Sequence, residues 1–146
     1  MKGVILAFLG SFCPALLFNI EKNKLIWAGI CGAAGWTAYE SIYSISGNKI
    51  YAAFIASAVI SLISEIMAKL LKTPATVFNV PSLFPIVPGV SAYNTILHII
   101  ENNLAAAAYK GIETLGIAGA IAFGIIFVST IFRYINTRKR RETNEN

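Results

Sequence analysis

Apolar residues run in five long stretches separated by short polar breaks. The first covers 3–20 and closes on Glu21-Lys22-Asn23-Lys24. The second covers 25–45 and closes on Ser46-Gly47-Asn48-Lys49. The third covers 50–71 and ends near Lys69 and Lys72, the fourth covers 81–100, and the fifth covers 112–132. Each is close to the ~20 residues that a helix needs to cross ~30 Å of hydrocarbon. The pattern predicts an all-α, polytopic membrane bundle of about five transmembrane helices. Residues 1–135 form the transmembrane domain and 136–146 a basic cytoplasmic tail. The fourth stretch is irregular, because Pro81-Ser82-Leu83-Phe84-Pro85-Ile86-Val87-Pro88-Gly89 cannot make a regular helix. From Val90 the pattern becomes helical. A Pro/Gly-broken fourth segment is expected, either spanning or re-entrant, since irregular backbone survives at membrane depth only where protein or water satisfies it.

Composition narrows the class further. Only 13% of residues are charged and 56% are hydrophobic, against about 25% charged in soluble domains. The net charge of +5 does not point to nucleic acid, because the basic residues sit at segment ends and in Arg138-Lys139-Arg140-Arg141. Five spans with the C-terminus inside place Lys22, Lys24, Lys69, Lys72, Arg133, Arg138, Lys139, Arg140 and Arg141 in the cytoplasm, and Lys2, Lys49 and Lys110 outside. That is nine against three; omitting the fourth span gives seven against five. The positive-inside rule therefore favours five spans in the plasma membrane, with the N-terminus outside. Lys2 and the apolar run 4–18 resemble a signal peptide, but no small-x-small cleavage site follows. Phe12 stands where a lipoprotein signal needs a small residue before Cys13. Residues 3–20 are thus expected to remain as a first span. Cys13 and Cys31 form no CxxC or His/Cys cluster, so no metal or cofactor is expected.

Polar residues inside the spans are the candidate chemistry. Ala53, Ser57, Ser61, Ser64, Glu65 and Ala68 share one face of the third segment. Glu65 either carries a proton or meets a substrate ammonium, or it pairs with Lys69 one turn on. Ser91, Asn94, Thr95, His98 and Asn102 or Glu101 share a face of the fourth, opposite Val90, Tyr93, Leu97 and Ile100. That polar face should line a pathway or an inter-helix network. His98, the one histidine, is a proton relay or a hydrogen-bonded packing residue. Glu40, beside Tyr39 and Tyr43, reads as part of an interfacial aromatic belt. A helix starting after Gly89 offers free N–H groups to an anion, unless the Pro-rich element is only a connecting turn. Small residues at Ala28, Gly29, Gly32, Ala33 and Gly35, and at Gly116, Gly119, Ala120 and Gly124, permit close helix packing within the chain or against another subunit. No nucleophile elbow, phosphate loop or HExxH is present, so no enzyme is expected.

Lys72-Thr73-Pro74-Ala75-Thr76-Val77-Phe78, followed by Phe84-Pro85-Ile86-Val87-Pro88-Gly89-Val90-Ser91-Ala92-Tyr93, resembles the threonine/serine exporter family, in its small-subunit or C-terminal-half form. The resemblance covers nearly the whole chain. It implies secondary export of threonine and serine, or of dicarboxylates such as succinate, driven by an ion or proton gradient. It also implies a larger family partner, since some members are fused chains and others are split in two. Thr73, Pro74, Pro85, Pro88, Gly89 and Tyr93 match the family's motifs. The expected substrate site combines Pro85, Pro88, Gly89, Ser91, Tyr93, Asn94 and Glu65, with N–H groups after Gly89 holding a carboxylate. A homo-oligomer and a non-transporting accessory subunit are the rival arrangements.

Overall fold

The computed structural model describes residues 2–144, and side chains over 2–135. The side chains of Arg138, Lys139, Arg140 and Arg141 therefore lie outside the described residues. The described chain is helical throughout: α1 (Lys2–Leu17), α2 (Lys22–Ser46), α3 (Lys49–Leu70), α4 (Thr76–Leu83), a 3-10 turn (Phe84–Ile86), α5 (Gly89–Ile100) and α6 (Leu104–Asn144). Local chemistry sets several boundaries. Gly47 closes α2 at φ +63°, a conformation glycine adopts without strain. Asn48 then caps α3, its side chain accepting from the N–H groups of Ile50 and Tyr51.

Two described helices are long and apolar enough to cross a membrane, Lys49–Leu70 and Leu104–Ile135. Thr76–Ile86 and Gly89–Ile100 pass the same test as a pair, bent by 51° at their junction. α1, with 16 residues, is shorter. α2 has 25 residues, but its apolar character is diluted by glycine, serine, tyrosine and Glu40.

The fourth segment differs in detail from its sequence pattern. Helix begins at Thr76, just after Pro74, and Pro81 sits buried inside α4 rather than at the start of an extended stretch. Pro85 stands at the start of the 3-10 turn, where a missing N–H costs little. The extended backbone shrinks to Val87, at φ −61° and ψ 133°. A residue before proline is pushed out of the helical region, so Pro88 makes the bend.

α3 is the axis of the bundle and packs against α2 and α6. Of the face marked by its spacing, Ala53, Ser57, Ser61, Ser64 and Ala68 are buried, with Ala56 beside them, while Glu65 is only half-buried. Gly35 on α2 receives the Ile60 side chain, and Gly124 on α6 lies against Ser57 and the Phe54 carbonyl. Ala53, Ala56, Ile60, Ile86, Ile117 and Ile121 form one apolar cluster, while Ala15, Leu25, Ala28, Cys31 and Phe78 form another.

The contacts fix helix direction. Lys49 pairs with Glu113, and Ser61 with Ser129, so α3 and α6 run parallel. Gly3 meets Trp36 and Gly32 meets Ser11, so α1 runs against α2. Lys22, Lys24, Lys69, Lys72 and Arg133 consequently gather at one end of the bundle, and Lys2, Lys49 and Lys110 at the other. Phe78 packs beside Met67 and Leu71 at the first end, and Thr95 meets Gly111 toward the second. The bent pair thus passes from one end to the other.

Glycine substitutions test the α3–α6 contact. A Cβ at Gly124 would stand 2.7 Å from the Phe54 carbonyl oxygen, whereas one at Gly119 meets nothing within 4 Å. Gly124→Ala is expected to destabilise the protein by about 1–3 kcal/mol. Gly119→Ala should leave the thermal midpoint in detergent unchanged or slightly raised.

Candidate functional site

The apolar bundle has a polar interior. Ser11, Ser57, Ser61, Ser64 and Ser82 are fully buried, and Asn79 is 7% exposed. Some are satisfied locally. Ser57 Oγ donates to the Phe54 carbonyl at 2.9 Å, and Ser82 Oγ donates across to the Ala28 carbonyl at 2.9 Å. Others are not. Ser11 Oγ, Ser64 Oγ, Asn79 Oδ1, Thr73 Oγ1 and Trp36 Nε1 are buried without a hydrogen-bond partner among the described residues. An orphaned polar atom costs about 1–3 kcal/mol in a protein interior, so each of these calls for a partner such as water, an ion or a ligand, or for a role.

Ser11, Ser64 and Asn79 lie on α1, α3 and α4 around the first half of α2, whereas Thr73 stands in the α3–α4 connection and Trp36 lines a separate cavity. Ser64 and Ser82 flank the Cys31 thiol. Sulfur is a weak partner, and Ser64 Oγ makes no hydrogen bond of ordinary geometry. Ser11 packs against Gly32, the residue after Cys31. Asn79 stands one turn before Ser82 on the buried face of α4. The Ser11 hydroxyl fills the space a Cβ at Gly32 would take, and the Ile60 side chain fills that at Gly35.

A cavity of about 380 Å³ opens between α1, α2 and the 3-10 turn. Gly3, Leu6, Gly10, Trp36, Phe84 and Pro85 line it. Its walls are apolar except for the indole of Trp36, whose ring stacks on Tyr39 at 5.7 Å. Tyr39 stacks in turn on Tyr43 at 6.0 Å, while Glu40 is exposed beside them.

The residues singled out by the sequence fall in separate places. Pro85 lines the cavity. Pro88 and Gly89 form the bend, where the Gly89 N–H donates to the Val87 carbonyl at 2.8 Å and Ala92 N–H to Pro88 at 3.0 Å. The N–H groups of Val90 and Ser91 therefore remain without a backbone acceptor. Ser91 is buried and Asn94 half-buried, while Tyr93 is 65% exposed. The polar side of α5 thus turns inward, with Thr95 against Gly111, and Val90, Tyr93, Ile96 and Ile100 face outward. Glu65 is half-buried on α3 near Lys69, toward the other end of the bundle from α5. Lys69 does not pair with it; its ammonium lies 4.6 Å from the Phe132 ring centre. His98 Nδ1 lies 3.2 Å from Glu101 Oε2.

Sequence reading passed over Asn79, Ser82, Cys31 and Trp36 as part of the site. Asn79 had a local signal, an amide in an otherwise apolar run. Trp36 had none, since its partner surface comes from α1 and the 3-10 turn.

An all-helical bundle with helices apolar and long enough to cross a bilayer defines a helical integral membrane protein. The family model described as "Threonine/Serine exporter, ThrE" matches residues 3–131, and the chain belongs to that family. The family is one of transporters rather than enzymes. No solved structure matches the chain.

Asn79→Leu tests the meaning of the orphaned amide. It is expected to leave thermal stability unchanged or raised by up to about 1–2 kcal/mol, because it removes an unsatisfied buried group. Export should fall. A large loss of stability would mean that Asn79 is structural.

Proposed function

We propose that the chain is a subunit of a secondary exporter of threonine and serine, or of related carboxylates such as succinate. It works with a larger member of the same family, or with copies of itself. The observation that carries this reading is the set of buried, unpartnered polar atoms inside an apolar bundle of an exporter family. Five spans in 146 residues are few for a complete carrier, which is commonly built from two repeats. That supports a partner.

In this reading the chain crosses the membrane five times, with α4, the 3-10 turn and α5 together as the fourth span. The passage of that pair from one end of the bundle to the other supports a span over a re-entrant loop. Residues 1–135 are the membrane domain and 136–146 a cytoplasmic tail. The grouping of Lys22, Lys24, Lys69, Lys72 and Arg133 supports that end as cytoplasmic and the N-terminus as external. Substrate follows the buried polar atoms from Glu65 past Ser64, Ser82 and Asn79 toward the bend. There the N–H groups of Val90 and Ser91 meet a carboxylate, and Asn94 adds a hydrogen bond.

The test is efflux of threonine, serine and succinate from preloaded cells. Efflux requiring both this chain and a larger family member is expected; efflux from this chain alone would favour a homo-oligomer. No efflux of any of the three would overturn the reading. Gly89 has open space around its Cα, so Gly89→Leu should insert normally yet lose export. Loss of the protein from the membrane would instead make Gly89 structural. Substrate protection of a labelled Ser91→Cys variant separates a pathway from an accessory scaffold, which would show none.

A further inference from the structure

The end of the bundle opposite Lys69 holds a polar cleft of about 650 Å³, between the α2–α3 turn and α6. Ser46, Asn48, Lys49, Tyr109, Lys110 and Glu113 are among its walls. Lys49 Nζ donates to Glu113 Oε1 at 2.8 Å, and Lys110 Nζ donates to Glu113 Oε2 at 2.7 Å. One carboxylate thus spans two ammonium groups, and its side chain is only 15% exposed. The Lys49–Glu113 bridge joins elements far apart in sequence, whereas the Lys24–Glu21, His98–Glu101 and Lys110–Glu113 pairs each lie three residues apart.

Charge in the cleft does not balance. Two ammoniums face one carboxylate, while the positive end of the α3 dipole at Asn48 is offset by the negative end of α2 at Ser46 and Gly47 beside it. Asn48 occupies the N–H groups of Ile50 and Tyr51, while that of Lys49 has no acceptor at the helix start among the described residues. The volume is in the range of small-molecule sites. Glu113 therefore holds the place of an external anion and leaves one positive charge over.

We propose that Lys49 and Lys110 form an anion-binding site at this mouth of the bundle, taking one carboxylate or similar oxyanion in competition with Glu113. The site lies apart from the bend and the buried serines. Its chemistry is that of a carboxylate clamp with an internal competitor, so a bound anion releases Glu113 and loosens α6 from α3. The anion is either a small soluble carboxylate or an anionic lipid headgroup, which share the same oxygens. Binding here does not depend on whether the chain transports.

The test is calorimetric titration of succinate into the purified full chain in phosphatidylcholine nanodiscs. Saturable binding is expected, weakened by salt. Glu113→Gln should tighten it by about three- to tenfold, because the competitor is gone. Lys49→Gln with Lys110→Gln should abolish it, and serves if Glu113→Gln does not fold. If succinate fails to bind but phosphatidylglycerol in the disc binds with the same dependence on these variants, the lipid is the source of the anion. Binding of neither anion, or binding indifferent to both variants, would overturn the proposal. Efflux that fails in cells while this binding persists would count against the exporter reading alone.

Discussion

Close approach of α3 to two neighbours at once underlies the rest of the structure. Helices in a bilayer gain little from the hydrophobic effect on one another and associate through tight packing of small residues. α3 meets that demand on two sides. Its alanines and serines let α2 and α6 approach, and Gly35 and Gly124 receive its larger groups. Replacing alanine with serine along such a face preserves the fit and brings hydroxyls into the interior. The packing surface and the polar interior are therefore the same residues. That is why the bundle can be tightly packed and still hold unsatisfied polar atoms at its centre.

The bend at Val87 and Pro88 follows from the same need. α4 must pack its Phe78, Pro81 and Ser82 face against α2 and α3, whereas α5 packs its polar face on α6. A straight helix would serve one of these and leave Ser91, Asn94 and Thr95 toward lipid. The 51° turn lets both faces find protein. It also frees the N–H groups at the start of α5.

Much of this was legible in the sequence, and the reasons are local. Apolar runs gave the helices, and the period of Ser57, Ser61 and Ser64 gave the buried face of α3. The polar stripe of α5 pointed inward as its length required. The fourth stretch bends by 51° between Ile86 and Gly89, but helix on its N-terminal side reaches back to Thr76, because α4 tolerates Pro81 among buried neighbours. The interior site was less legible, since it is made by residues far apart. Cys31, Ser64 and Ser82 become neighbours only when three helices pack. Lys49 and Glu113 are 64 positions apart, and no periodicity joins them. Glu65 and Lys69 show the converse, a spacing that suits an ion pair the structure does not make.

The orphaned polar atoms of Ser11, Ser64 and Asn79 are proposed to line a path open to water and substrate. Cys31 lies among them, while Cys13 is exposed on the outside of α1. The most direct measurement is alkylation of Cys31 by a small hydrophilic thiol reagent, in a Cys13→Ala protein in intact membranes. The account expects Cys31 to react, and succinate or threonine to slow the reaction. A thiol that reacts only after denaturation would contradict it, and would make the buried serines packing residues alone.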